Sequence, residues 1–300
     1  MPELPEVETV RRGLEPVMTG ARILSADVRR PDLRFPFPEK FSERLAGQTI
    51  ISLGRRSKYL TMDLANGAVV IMHLGMSGRF LIEERHSGEG ARSDVGDFVH
   101  DTGRLPQHDH VVLHLERDGG QMRVIYNDPR RFGFMLMTER ARFDEHPLIK
   151  DLGVEPIGNA LSPDYLASRF LGKAAPLKAA LLDQKIIAGL GNIYVAESLW
   201  RAKLSPRRAA KTLVKKSGAP TARLEALTGH IVDVIQDAIA AGGSSLRDYT
   251  HTDGSLGYFQ HAFAVYGREY EPCQRQGCRG VIARIVQSNR SSFYCPVCQR

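Results

Sequence analysis

Four cysteines, Cys273, Cys278, Cys295 and Cys298, all fall in the last 28 residues of the 300-residue chain. Two close pairs of thiols are separated by the length of a β-hairpin. Four thiolates suit tetrahedral Zn²⁺ and leave no position open for catalysis. One structural zinc is therefore expected, and its binding should fold a small module. The alternative, two disulfides, is disfavoured because the N-terminus lacks the basic region and apolar core of an export signal. Val281–Val286 and Phe293–Tyr294 are the expected strands. Arg284, Asn289, Arg290, Ser291 and Ser292 lie along the hairpin or at its tip, where arginines can meet a phosphate backbone.

A second chemistry is available at the other end of the chain, in Met1-Pro2-Glu3-Leu4-Pro5-Glu6. Residue 2 is small, so removal of the initiator Met is expected, leaving Pro2 with a free secondary amine. An α-amino group has a reference pKa of about 7.7–8.0, so part of it is neutral near neutral pH. A neutral amine attacks carbonyl-like carbons to give Schiff bases. Glu3 is adjacent and Glu6 one helical turn further on, and a carboxylate beside an amine can hold or pass a proton. The plainer reading is that Pro5 opens a helix at N1 and that Glu3 and Glu6 complement its dipole.

Three stretches of the N-terminal half suggest further contacts. Lys58 sits just before a strand, behind Arg55 and Arg56, as a solvated lysine or as a phosphate or catalytic contact. Met76 lies between two glycines in His73-Leu74-Gly75-Met76-Ser77-Gly78, at a turn. An apolar residue at a loop tip can wedge between base pairs, although it can also cover a core edge. Asn127-Asp128-Pro129-Arg130-Arg131-Phe132-Gly133 marks a turn presenting two arginines and an aromatic. Arginine forks onto phosphate or a base edge, and Phe stacks or intercalates. Two arginines can equally be a solvated face.

Regular elements must position these groups. Val7, Val10 and Leu14 recur at helical spacing, predicting one helix from Pro5 to near Gly20. Thr49–Leu53, Tyr59–Leu64, Ala68–Leu74, Val111–Leu115, Met122–Tyr126 and Phe134–Met137 read as strands of an antiparallel sandwich or barrel. Glu84–Gln107 lacks apolar periodicity and reads as a long loop. Ser162-Pro163-Asp164 and Pro176 start helices. The second, with Leu177, Leu181, Leu182 and Ile186 on its apolar side, is expected to end at Gly189-Leu190-Gly191. Asn192 opens the next helix, Ile193–Lys203, and two helices joined by such a turn resemble a nucleic-acid-binding hairpin. Lys173, Lys178 and Lys185 supply charge around it. Arg207, Arg208, Lys211, Lys215 and Lys216 form a basic, solvated patch. Leu224, Leu227, Ile231, Val234 and Ile235 predict a long helix that ends at Gly242-Gly243-Ser244-Ser245, and Thr250–Phe259 follows as a loop.

Composition agrees with a folded protein of more than one domain. The charged fraction is 25%, the net charge +7 and the pI about 9.3. That balance favours a polyanion, nucleic acid before membrane. No segment has the ~18 apolar residues needed to span a bilayer.

Taken together, Pro2–Val7, Lys58–Leu60, His73–Gly78, Asn127–Gly133, Gly191–Tyr194 and Arg290 before the last cysteine pair resemble the formamidopyrimidine-DNA glycosylase family over nearly the whole chain. The resemblance implies an α+β fold. Residues 2–150 would be an N-terminal antiparallel β-sandwich with its helix, 151–262 a helical domain with a helix-two-turn-helix, and 263–300 a zinc-bound β-hairpin. It implies a cytoplasmic monomer, with no membrane partner, that binds duplex DNA containing oxidised purines in a cleft. There it flips the damaged base and cuts the strand by β,δ-elimination. Pro2 is then the nucleophile and Glu3 the proton donor and shuttle. Lys58 serves lesion recognition and β-elimination, and Arg290 phosphate contact and δ-elimination. Met76, Arg130 and Phe132 fill the gap, with Arg131 in the same turn and Arg130 reading the orphaned cytosine. His108, Lys173 and Asn192 contact DNA, and the loop ending at Tyr258 covers the extruded base.

Two features depart from the family pattern. Cys273 and Cys278 are separated by four residues where many members have two, and Glu84–Gln107 is longer than usual just before His108. The nearest rival is an endonuclease VIII-type glycosylase for oxidised pyrimidines, disfavoured by Leu4, Met76 and the Arg130–Phe132 turn. A catalytically silent damaged-DNA-binding protein is disfavoured by Pro2, Glu3 and Lys58 together. A zinc-ribbon RNA-binding protein is disfavoured by how little of the chain the ribbon makes up.

Overall fold

The computed structural model describes residues 2–85, 105–244 and 258–300. The chain divides into two compact units, Met1–Lys150 with Gly242–Tyr258, and Asp151–Ala241 with Phe259–Arg300. The long loop read at Glu84–Gln107 lies largely outside the described residues, as does 250–257 of the loop expected before Phe259.

The first unit opens with α1 (Leu4–Met18), whose Val7, Val10 and Leu14 are buried as their spacing predicts. It ends at Thr19, and Gly20 turns the chain at φ +83°. Two four-stranded antiparallel sheets follow. One orders β1 (Arg22–Val28), β6 (Asp109–Arg117), β7 (Gly120–Asn127) and β5 (Arg79–Arg85). The other orders β2 (Ile50–Arg56), β3 (Tyr59–Leu64), β4 (Ala68–His73) and β8 (Phe134–Glu139). Side chains of both sheets, α1 and the short α2 (Phe41–Leu45) meet in one apolar core. The α+β character and the antiparallel sheets are those expected.

Two strands were not legible. β1 and β5 are edge strands of their sheet. β1 alternates Arg22, Ser25 and Asp27 with buried Ile23 and Ala26, and a register shift interrupts it. An edge strand needs only one buried face, and charges on it discourage pairing with other chains, so its apolar signal is weak. β2 also runs past Leu53 to Arg56, because Gly54, Arg55 and Arg56 pair with Thr61, Leu60 and Tyr59.

The second unit contains α3 (Pro163–Phe170), α4 (Leu177–Leu182), α5 (Asn192–Arg201), α6 (Ala222–Ala240) and a hairpin of β9 (Ala283–Gln287) and β10 (Arg290–Tyr294). Ser162 caps α3 by accepting the Tyr165 N–H at 3.1 Å. The apolar face of α6 is the predicted one, and Leu224, Leu227, Ile231, Val234 and Ile235 are all buried. α4 is shorter than its apolar positions suggested. Asp183 Oδ1 accepts the Lys185 N–H at 3.0 Å, and its carbonyl takes the N–H groups of Ile186 and Ile187. Such a side-chain-to-backbone bond competes with helix continuation. Ile186 is buried from a turn instead. The hairpin packs on α5, where Ala196, Val265, Cys273, Ile282 and Cys295 form a second apolar cluster.

Candidate functional site

Pro2 and Glu3 are buried at the mouth of α1. The carboxylate next along is committed elsewhere. Glu6 Oε2 accepts the Glu3 N–H at 2.8 Å, and Oε1 accepts both the N–H and the hydroxyl of Ser244 at 2.9 Å. Gly243 lies so close that a Cβ there would stand 3.2 Å from Glu6 Cγ, at φ +76°. Glu6 is thus a clamp between the helix start and residues 243–244. Nothing in the local sequence signals that role, because the partners are 238 residues apart.

Lys58 occupies the two-residue turn between β2 and β3 and is 8% exposed. Ser57 enters this turn at φ +58°. Arg55 anchors the turn to α1. Its Nη1 donates to the Ser57 carbonyl at 2.8 Å, and its Nε to Glu8 Oε2 at 3.1 Å. Burial pushes the Glu8 carboxyl up, but Arg11, Arg12 and Arg55 outweigh it and hold Glu8 below its ordinary value. Opposite Lys58, Tyr59 pairs with His73 across β3 and β4. Burial first, then the charges of Lys58 and Arg34, lower the His73 pKa to about 4. His73 is therefore neutral, and its Nδ1 accepts the Gly75 N–H at 3.0 Å. Its ring stacks on Phe134.

The turn that follows His73 carries Met76, half-buried between buried Gly75 and Ser77. Beside it, the turn after β7 presents Arg130, Arg131 and Phe132, all exposed, with Phe132 45% accessible. The Arg130 guanidinium lies 4.9 Å from the Phe132 ring centroid. Arg131 adopts φ +58°, a conformation that bulky residues rarely take and that clusters at functional sites. His108 is brought alongside, since its carbonyl accepts the Asp128 N–H at 3.0 Å. An apolar tip, a guanidinium and an aromatic ring projecting together suit stacking and base-edge contacts in nucleic acid. Tyr258 is 69% exposed and bridges to Ser244 in this unit.

In the second unit, Gln184 braces the Gly189–Gly191 turn. Its Oε1 accepts the Gly189 N–H and its Nε2 donates to the Leu190 carbonyl, each at 2.8 Å. Asn192, first residue of α5, donates from Nδ2 to the Ser291 carbonyl at 3.0 Å, while its buried Oδ1 has no partner among the described residues. Lys178, read as part of the charge around the turn, is instead 2% exposed. Its Nζ donates to the Ser291 carbonyl at 2.8 Å and to Ser292 Oγ at 2.6 Å. These bonds hold the exposed Arg290, which follows the tight Ser288–Asn289 turn of the hairpin. Lys173 is half-buried at the end of α3's following turn, and its carbonyl accepts the Lys211 N–H at 2.9 Å. Lys185 is exposed and pairs with Asp151.

Glu197 carried no sequence signal. It is 3% exposed and accepts the N–H groups of Ala264, Val265 and Tyr266 at 2.9, 3.1 and 2.8 Å. It ties α5 to the segment entering the zinc module. Burial raises its pKa against those three hydrogen bonds.

The four cysteine sulfurs lie within 4.8 Å of one another. Cys273 and Cys298 are 3.8 Å apart, and Cys278 and Cys295 3.6 Å. A disulfide would need about 2.05 Å, whereas tetrahedral Zn–S bonds of about 2.3 Å put sulfurs about 3.8 Å apart. Burial pushes Cys298 up to about 12 and raises Cys295. Against burial, the N–H groups of Trp200 and Arg275 draw Cys273 down to about 7. Such thiols ionise together only around a cation. The cluster is one structural zinc site with no open ligand position, and the wider first spacing leaves its four-sulfur geometry intact.

Three family models match in sequence order: the formamidopyrimidine-DNA glycosylase N-terminal domain over residues 1–135, the H2TH domain of the same family over 152–250, and a zinc finger found in FPG and IleRS over 271–300. The chain is 61% identical to the formamidopyrimidine-DNA glycosylase of Chelativorans sp. and 60% identical to that of Agrobacterium fabrum, each over 100% of both chains. A solved complex of Lactococcus lactis Fpg with DNA containing an abasic site is 32% identical, with 99% of both chains covered and a TM-score of 0.80. A MutM complex with DNA containing carbocyclic 8-oxo-G is 31% identical over 100% of both chains, at a TM-score of 0.80.

Proposed function

Because the chain belongs to the formamidopyrimidine-DNA glycosylase family, we propose that it excises 8-oxoguanine and formamidopyrimidines from duplex DNA with Pro2 as nucleophile. It is a DNA glycosylase with AP lyase activity in base-excision repair. The observation that carries the residue assignment is the buried start of α1. Chain ends are usually exposed and loosely held. Here Pro2 and Glu3 are buried, while Glu6 is bound to Ser244 and to the Glu3 backbone.

With Met1 removed, the Pro2 nitrogen attacks the sugar C1′ and the C1′–base bond breaks. The base leaves after receiving a proton, for which Glu3 is the donor and shuttle. The proline loses its own N–H proton, the sugar ring opens, and C1′ is held as an iminium. Loss of a C2′ proton expels the 3′-phosphate, and a second elimination expels the 5′-phosphate. Lys58 serves lesion recognition and the first elimination, and Arg290 grips phosphate for the second. Met76, Arg130 and Phe132 fill the gap left by the flipped base, which offsets part of the few kcal/mol that flipping costs. Arg131 accompanies them, and Arg130 reads the orphaned cytosine. His108, Lys173 and Asn192 bind the backbone, and Tyr258 belongs to the loop that covers the base. Cys273, Cys278, Cys295 and Cys298 would hold zinc, which would shape the hairpin and leave the chemistry at C1′ to the residues above. A monomer acting on nucleoid DNA in the cytoplasm completes the reading, and the net charge of +7 supports its association with DNA.

Borohydride trapping on duplex DNA with 8-oxoguanine opposite cytosine, followed by mass spectrometry of the cross-linked peptide, tests the assignment. An adduct on Pro2 is expected. An adduct on a lysine would move the nucleophile, and tight binding without any adduct would favour a silent DNA-binding protein.

A further inference from the structure

The turns that carry Met76 and Arg130–Phe132 are far apart in sequence, and one buried carboxylate ties them together. Asp128 is 0% exposed. Its Oδ1 accepts the Ser77 hydroxyl at 2.6 Å and the Arg130 N–H at 3.3 Å. Its Oδ2 accepts the Gly133 N–H at 2.9 Å and the Tyr126 hydroxyl at 3.4 Å. Ser77 Oγ in turn accepts the Arg130 N–H at 3.3 Å, so one hydroxyl of the Met76 turn bonds twice to the Arg130 turn across the junction. Burial, with Asp128 beside it, keeps the Tyr126 phenol protonated and able to donate.

Packing makes the same junction rigid. A Cβ on Gly75 would lie 2.4 Å from Gly133 N and from Phe132 C. A Cβ on Gly133 would lie 1.7 Å from the Tyr126 hydroxyl and 2.6 Å from the His73 carbonyl oxygen. The two backbones touch with no room for a side chain between them, and buried networks of this kind specify one arrangement when every member is satisfied.

We propose that Asp128 and Ser77 are positioning residues that lock the Met76 turn and the Arg130–Phe132 turn into one wedge, so that the group filling the gap and the group reading the orphaned base enter the duplex together. This rests on the assignment of Met76, Arg130 and Phe132 made above. Neither positioning residue touches DNA. Their effect passes through the geometry of Arg130 and Met76.

The test compares kcat/KM for 8-oxoguanine opposite cytosine with that for 8-oxoguanine opposite adenine, using zinc-loaded full-length protein. A loss of folded enzyme lowers both values equally and leaves their ratio unmoved. Ser77→Ala should lower the ratio about fivefold, the size of one hydrogen bond, and Ser77→Thr, which keeps the hydroxyl, should restore most of it. Asp128→Asn sets an N–H against the Gly133 or Arg130 N–H and should lower the ratio further; if it does not fold, Ser77→Ala still decides. Arg130→Ala should lower the ratio most, and adding Ser77→Ala to it should lower it no more. A wild-type ratio in Ser77→Ala, with Arg130→Ala impaired, overturns the coupling and leaves the Arg130 assignment standing. A wild-type ratio in Arg130→Ala overturns the orphan-base assignment, and the coupling with it.

Discussion

The N-terminal sandwich and the zinc hairpin both present exposed arginines from turns, and they hold those turns by different means. The turns carrying Met76 and Arg130–Phe132 sit on a large apolar core drawn from both sheets and α1. Around Asp128 their polar atoms are matched within the unit, at short range in space. The hairpin adds only Cys273, Ile282 and Cys295 to its buried cluster, beside Ala196 and Val265. A module this small cannot bury enough surface to stand alone and needs a metal or other staples. It has the zinc site and three side-chain anchors from the helices: Glu197 on the backbone of residues 264–266, and Lys178 and Asn192 on the Ser291 carbonyl. Where the core is large, packing sets the position of a tip. Where it is small, a thiol cluster suited to one cation and buried polar side chains bonded to backbone do so.

Zinc removal should separate the two regions most strongly. Chelation, with metal loss verified by elemental analysis, is expected to unfold the hairpin and weaken binding to abasic-site DNA by roughly tenfold or more. The unfolding midpoint of the sandwich should stay where it was. A sandwich transition that falls together with the hairpin would break the comparison.

Glu197→Ala probes the anchors without touching the metal ligands. It leaves three N–H groups unsatisfied, two of them buried and one part-buried, and should destabilise the C-terminal unit by about 3 kcal/mol. Zinc stoichiometry should remain at one per chain. Denaturant unfolding that shifts by less than about 0.5 kcal/mol would make Glu197 incidental.

The smallest effect at neutral pH, and the sharpest mark of the sandwich, concerns His73. Its folded pKa is lowered to about 4 from 6.5. A depressed value means that the folded state favours the neutral ring. The stability it confers is complete above about pH 6.5 and is lost as pH falls through 4. His73→Gln should flatten the acid dependence of sandwich stability across that window while changing little at pH 7. Thermal unfolding of both proteins at pH 7 and pH 4 checks this, and parallel losses would exclude His73 as the cause.

Legibility followed burial and locality. β3 and β4 are apolar almost throughout because they lie inside their sheet, and their limits could be read from composition. β1 and β5, on the edges, could not. Ser162-Pro163 announces α3 because capping is a matter of three consecutive residues. The end of α4 was misplaced because Asp183 and Gln184 draw the chain into a turn that apolar periodicity does not register. In the candidate site, Met76 and Arg130–Phe132 were visible as odd residues at turns. Asp128 was legible only as a turn former and Ser77 not at all, since their bond spans 51 residues.

By itself the sequence determined which chemistries are present: four thiols at metal-ligand spacing, a proline beside a glutamate at the chain start, and a basic balance suited to a polyanion. These depend on residue type and short spacing, which survive any folding. Only the tertiary structure decided the role of each charge. Glu3 and Glu6 look alike in the chain, yet Glu6 is the one bound to Ser244. Lys178 and Lys185 look alike, yet one is buried on the Ser291 carbonyl and the other is exposed beside Asp151. A charged group becomes structural when folding removes its water and supplies a partner, and that partner comes from chain too distant for local sequence to reveal.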